Sequence, residues 1–189
     1  MMNLKFKNVY EDNENITQIE QLYEESFPEY ERFDFNFLQK ASKRKDNKFW
    51  VIYDDNNLIG LTYLTFDKNM IFILYLTVDS QYRNKGYGSE ILNLLKEKYK
   101  NYHFILDIEA VKKDSKNYHQ RVIRKKFYEK NDFISTNLGM SYQGEEYEYL
   151  CTSNMNINDK IITKLFGKLY NPVIQFFTKF YRFDLYQIR

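Results

Sequence analysis

The sequence predicts an α/β protein, in the α+β sense of mixed strand directions, on the strength of three observations. Strand-like and helix-like periodicities alternate along residues 1–152 in the order βααβββαβαββ. The run from Met70 to Val78 is apolar on both faces, as a central strand covered on both sides must be. Gly86 and Gly88, two of only six glycines, fall between that strand and an amphipathic helix, where the chain must turn tightly.

Leu4, Phe6 and Val9 among polar neighbours predict an opening strand. Ile16, Ile19, Tyr23 and Phe27 recur at helical spacing, with Asn15 and Gln18 placed as a capping box and Pro28 as the stop. A second helix is expected over Phe33 to Lys43, with Phe33, Phe37 and Leu38 on one side. Strands over Phe49 to Tyr53 and Leu58 to Phe66 flank Asp54-Asp55-Asn56-Asn57, a hairpin turn signal. After the Met70–Val78 strand, Ile91, Leu94, Leu95 and Tyr99 mark a helix. A strand over His103 to Ala110, a helix over Tyr118 to Lys130 and a strand pair over Phe133 to Leu138 and Glu145 to Cys151 complete a domain of residues 1–152.

Residues 153–189 are expected to form a helical extension. From Met155 on they carry net charge +4, against −2 for the residues before. Ile161, Ile162, Leu165, Phe166, Leu169 and Tyr170 make an apolar face, Pro172 interrupts it, and Val173, Phe176, Phe177 and Phe180 resume it, which predicts two short amphipathic helices. The density of Phe176, Phe177, Phe180, Tyr181 and Phe183 favours packing on the domain or in a homodimer over binding at a membrane surface.

Composition narrows the function classes. With 189 residues, 43% of them hydrophobic, the chain is long enough for one core, and 19% aromatics with two prolines exclude a low-complexity segment. A formal net charge of +2 provides no basic field, so nucleic acid is not an expected partner. Cys151 alone can form neither an intramolecular disulfide nor a thiolate metal cluster, and His103 and His119 lack ligand-spaced neighbours, so no metal is expected. The longest apolar run is too short to span a membrane, and Met1-Met2-Asn3-Leu4-Lys5 carries no signal-peptide core, so the cytoplasm is the expected compartment.

The turn Arg83-Asn84-Lys85-Gly86-Tyr87-Gly88 frees backbone N–H groups at a helix N-terminus, where they and the helix dipole attract phosphate. It lacks the Lys-Ser/Thr ending of a P-loop and the third glycine of a dinucleotide fingerprint. It resembles the acetyl-CoA signature Arg/Gln-x-x-Gly-x-Gly/Ala of the GNAT superfamily of N-acetyltransferases, and Leu76 to Tyr82 resemble the lead-in of that family. A second resemblance lies in Lys126-Phe127-Tyr128-Glu129-Lys130-Asn131-Asp132-Phe133, which is similar to the family's Phe-Tyr-Glu-Lys-x-Gly-Phe. Asp132 stands at the glycine position, and Arg121 and Arg124 stand where the family commonly has asparagine and a small residue.

The resemblance implies a mostly antiparallel sheet split at its fourth and fifth strands, with acetyl-CoA in the split. Leu76, Thr77 and Val78 would pair with pantetheine, and the N–H of Leu76 or Val78 would hold the oxyanion. The backbone from Arg83 through Asn84, Lys85, Gly86, Tyr87 and Gly88 to Ser89 would take the pyrophosphate. Tyr128 matches the general-acid tyrosine of the family, Glu109 at a strand end is a candidate base, and Glu29 and Glu31 border the acceptor pocket. The implied activity is direct transfer of acetyl to a small-molecule or peptide amine in a ternary complex. The alternative is a non-catalytic CoA-binding module whose tail engages a protein or a membrane.

Overall fold

The strands and helices follow the expected order, with one addition near the C-terminus. In the computed structural model, which describes residues 2–153, 155, 157–169 and 184–188, the strands are β1 (Leu4–Asn8), β2 (Asn47–Asp54), β3 (Asn57–Asp67), β4 (Met70–Val78), β5 (His103–Glu109), β6 (Ile134–Tyr142), β7 (Glu145–Cys151) and β8 (Asp184–Gln187). The helices are α1 (Ile16–Ser26), α2 (Phe35–Ala41), α3 (Tyr87–Lys98), α4 (Tyr118–Lys130) and α5 (Asp159–Leu169). The sheet order is β1-β2-β3-β4-β5-β7-β6-β8. The β4–β5 pair is parallel and runs only from Met70↔His103 to Phe72↔Ile105, so the sheet is split at its fourth and fifth strands. Around it the β1–β2, β2–β3, β5–β7, β6–β7 and β6–β8 pairs are antiparallel. The chain forms two compact units, Met1–Phe66 with Ile73–Lys100, and Asp67–Phe72 with Asn101–Arg189.

In the first unit the β2–β3 hairpin closes through Asp55 and Asn56, with Asp55 at φ 52°, a left-handed conformation that aspartate tolerates. Ile19, Leu22 and Tyr23 of α1 and Phe35 and Leu38 of α2 bury their faces in a core where the rings of Tyr23, Phe35, Phe49 and Tyr63 meet 5.4 to 6.5 Å apart. Asn15 precedes α1, as expected, but it makes no capping hydrogen bond. A 3-10 turn over Asn13–Asn15 leaves it at φ −103°, ψ 7°, outside the extended geometry of a capping residue, and its amide donates to Asp12 instead. The second helix begins at Phe35 rather than Phe33, because the Asp34 carboxylate accepts from the N–H of Phe37 and caps it there.

The Tyr63 hydroxyl is fully buried and has no hydrogen-bond partner among the described residues. Leaving such a group unsatisfied costs about 1–3 kcal/mol. Tyr63→Phe is therefore expected to raise unfolding stability by about 1 kcal/mol in urea titration; a loss of stability would show that the hydroxyl is satisfied.

In the second unit β5 and β6 flank β7, with Asp107 opposite Tyr149 and Glu109 opposite Tyr147. Helix α4 occupies the expected residues and ends without glycine. Asp132 supplies the left-handed residue at φ 65°, and the Asn131 amide donates to the Phe127 carbonyl. Helix α5 buries Ile162 and Leu165, sets Phe166 5.1 Å from Phe72, and brings Lys164 to 3.4 Å from Asp67. The extension is not wholly helical: β8 pairs with β6 from Leu138↔Gln187 to Ser141↔Asp184. Tyr186 lays its ring over Gly139, where a Cβ would fall 2.7 Å away, and donates to Glu146. The expected second tail helix, around Val173 to Phe180, lies outside the described residues. Among the described residues, no helix is long and apolar enough to cross a membrane.

Candidate functional site

In the first unit, β4 runs into the glycine turn through a short, heavily tied connection. The N–H of Asp79 donates to the Ile59 carbonyl at 2.8 Å, and its carboxylate accepts from the N–H of Gln81. Asn84 at φ 61° and Gly86 at φ 89° are both left-handed, and Lys85 between them is not. Such alternation turns successive backbone N–H groups toward a common point and makes an anion-binding concavity. Helix α3 begins at Tyr87 immediately after it, so the N–H groups of Tyr87, Gly88 and Ser89 have no acceptor within the helix. Arg83 to Gly86 are exposed. The Arg83 Nε donates to the Val78 carbonyl at 2.9 Å. The Lys85 ammonium lies 5.5 Å above the Tyr82 ring. The Tyr87 hydroxyl donates to Asp54, fixing the start of α3 to the β2–β3 hairpin.

The end of β4 is shaped by a residue absent from the sequence-based site. A Cβ on Gly60 of β3 would collide with the carbonyl oxygen of Thr77, a backbone atom that cannot step aside. Glycine at that point lets β4 approach β3 closely at Thr77 and Val78; a lone glycine within a strand was the available signal. Leu76 and Val78 are half-buried, whereas Tyr75 and Thr77 point inward. Thr77 donates to the Ser26 hydroxyl at 2.9 Å.

Also in this unit, a cavity of about 190 Å³ is lined by the acidic residues Glu20, Glu24, Glu29 and Asp34 and by the aromatic residues Tyr23, Phe33 and Phe35. Arg32 is the one basic residue in its wall, 3.7 Å from Glu24. Of the two glutamates expected near an acceptor, Glu29 lines this cavity. Glu31 does not; its carbonyl accepts from the Tyr75 hydroxyl at 2.6 Å.

In the second unit, Glu109 is buried at the end of β5 and both its oxygens are taken. Arg121 approaches at 3.0 Å, Arg124 at 2.6 Å, and the Asn117 amide at 3.0 and 3.2 Å. Burial pushes the carboxyl up. The Asn117 hydrogen bond and the charges of Arg124 and Arg121 outweigh it and hold the group below the ordinary carboxylate range. Arg121 is itself satisfied on all sides, by Asn117, the Ala110 carbonyl and Glu145. Four residues beyond Arg124 on α4, Tyr128 packs its ring against Phe127 and Phe133 at 5.0 and 5.5 Å. Burial pushes its hydroxyl up to about 12, and among the described residues that hydroxyl makes no hydrogen bond. No cluster of three metal-ligating side chains occurs among the described residues.

A family model described as "Acetyltransferase (GNAT) family" matches residues 14–132. Among solved structures, a GNAT-family acetyltransferase from Bacteroides thetaiotaomicron is 21% identical, with TM-score 0.68 over 89% of this chain and 97% of that one. A Bacillus subtilis acetyltransferase in complex with CoA is 11% identical, with TM-score 0.56 over 82% of this chain and 100% of that one. A spermidine N-acetyltransferase chimera from Vibrio cholerae and hSSAT is 15% identical, with TM-score 0.60 over 80% and 95%. No match was found among curated proteins.

Proposed function

The chain belongs to the GNAT acetyltransferase family, and from that premise we propose that it transfers an acetyl group from acetyl-CoA directly to an amine. The observation that carries the reading is the turn at Arg83–Gly88, two left-handed residues opening a helix directly behind β4. The backbone N–H groups from Asn84 to Ser89 take the pyrophosphate, and Lys85 with the outer nitrogens of Arg83 supplies positive charge. Pantetheine pairs as an added strand with Leu76, Thr77 and Val78. The N–H of Leu76 or Val78 donates to the thioester carbonyl as it becomes an oxyanion.

The neutral amine attacks the carbonyl carbon and forms the C–N bond. The oxyanion collapses, the C–S bond breaks, and Tyr128 gives its proton to the departing sulfur. The ammonium proton of the adduct leaves to solvent, and solvent reprotonates the phenolate. Glu109 is a poor choice for that proton: both its oxygens are committed and its pKa is lowered. We assign it to holding Arg121 and Arg124, and through them the face of α4 that carries Tyr128. Four acidic residues around the Glu29 cavity, against one arginine, favour an acceptor with more than one positive charge.

Calorimetric titration with acetyl-CoA, followed by release of CoA thiol on adding pooled amines, tests the reading. Binding with thiol release is expected. In the Gly86→Val variant the β-branched residue resists φ 89°, and the acetyl-CoA Kd is expected to rise at least about tenfold. Unchanged affinity in that variant would place the phosphates elsewhere.

A further inference from the structure

We propose that Tyr75 is a positioning residue that ties the acceptor-side segment, residues 29–33, to the strand that receives the donor. Only 4% of Tyr75 is exposed, and it sits on β4 between Leu74 and Leu76. Its hydroxyl donates to the Glu31 carbonyl at 2.6 Å and accepts from the Phe33 N–H at 3.1 Å. One side chain thus closes both ends of the turn that follows Glu29. Burial holds the phenol far above its ordinary range, so the hydroxyl keeps its proton and both bonds at any working pH.

Its ring is fixed as firmly as its hydroxyl. Phe27 lies 4.7 Å away and Tyr23 5.0 Å away at 87°. The Tyr23 hydroxyl donates in turn to the Phe33 carbonyl at 3.0 Å. Two residues along β4, Thr77 binds Ser26 at the end of α1. The inward residues of β4 therefore hold the chain on both sides of Pro28, at Ser26, Glu31 and Phe33, the last of these in the wall of the acidic cavity that Glu29 also lines.

The consequence rests on the acyl-transfer reading, in which the donor pairs with Leu76 to Val78. A donor lying on that stretch suppresses fraying of the strand end, and the two Tyr75 hydrogen bonds carry the added order into residues 29–33. Donor binding then prepares the acceptor side before the acceptor arrives, with no contact between the donor and that segment.

Hydrogen exchange on the full chain, with and without acetyl-CoA, tests this without knowledge of the acceptor. In the unsubstituted protein acetyl-CoA is expected to slow exchange in residues 70–78 and, at least about threefold, in residues 29–35. In Tyr75→Phe the acetyl-CoA Kd is expected to stay within about twofold and residues 70–78 to remain protected. The effect on residues 29–35 should vanish, and the Phe33 amide should exchange at least about tenfold faster even without donor. Tyr23→Phe, which keeps the Tyr75 hydroxyl, should retain the donor effect. Protection of 70–78 without any change at 29–35 in the unsubstituted protein, or equal protection of 29–35 in Tyr75→Phe, overturns the inference. Absence of binding and of protection at 70–78 instead overturns the acyl-transfer reading, and a Phe33 amide unaltered in Tyr75→Phe removes the anchor independently of it.

Discussion

Replacing Tyr128 by phenylalanine is expected to lower kcat by about 10²–10⁴ while leaving the acetyl-CoA Kd unchanged, because the substitution removes the proposed proton donor and nothing else. The phenyl ring keeps its contacts with Phe127 and Phe133. Since the hydroxyl makes no hydrogen bond among the described residues, its loss strands no buried partner. Stability should accordingly stay within about 0.5 kcal/mol, which separates this variant from one that merely unfolds. The pH profile provides a second check. A phenol pushed up to about 12 remains protonated across the neutral and mildly alkaline range, so kcat of the unsubstituted enzyme should show no descending limb from this group between about pH 7 and 10. Thiol release from acetyl-CoA with an active amine measures both quantities. An unchanged kcat in Tyr128→Phe would remove it as the acid.

The helices and strands of residues 1–152 were legible because each carries its own period. The doubly apolar Met70–Val78 run announced the central strand, and the Phe-Tyr-Glu-Lys segment closed α4 at the expected residue. Helix starts were less legible, since they depend on which carboxylate or carbonyl is in reach. Asn15 ends a 3-10 turn, and Asp34, expected inside a helix that begins at Phe33, instead caps a helix that begins at Phe35. Strand β8 carries no period of its own in four residues and is defined by its partner β6. At the candidate site, the left-handed turn before α3 could be found from two glycines. Gly60 and Tyr75 could not be assigned, because their roles arise from backbone and side-chain contacts between segments distant in sequence. Arg121 and Arg124 were visible only as departures from a pattern. Their position around one buried carboxylate, with Asn117 as a third donor, shows what the departures accomplish: the two charges added to α4 are met by Glu109 of β5, which both arginines share, and by Glu145 of β7, which pairs with Arg121.

That pairing predicts a large stability effect. Glu109→Gln is expected to cost about 1.5–3 kcal/mol, because it removes the buried one of two carboxylates paired with the Arg121 guanidinium, whose side chain is only 4% exposed, and leaves it the half-exposed Glu145. The arginines should differ sharply. Arg124 is 43% exposed on its side chain, so solvent screens it and Arg124→Met should cost under about 1 kcal/mol, whereas Arg121→Met removes a buried cation that serves Glu109 and Glu145 together and should cost more, with Glu109 keeping Arg124 and Asn117. The sign with pH follows from the lowered pKa of Glu109 relative to its ordinary value of 4.5. The folded state binds its proton more weakly than the unfolded chain, so the contribution is complete above about pH 5 and is lost as pH falls through the folded value. Urea unfolding of Glu109→Gln should therefore be displaced from the unsubstituted protein by a constant amount from pH 8 to about 5, and the two should converge below. Catalysis distinguishes this positioning part from a proton-accepting one. Holding Arg121 and Arg124 in place predicts a modest fall in kcat for the folded variant, with an unaltered shape of the pH profile. A fall of about 10³ with stability unchanged, and loss of an acid limb from the profile, would make Glu109 the base and require its two arginines to let go of it during turnover.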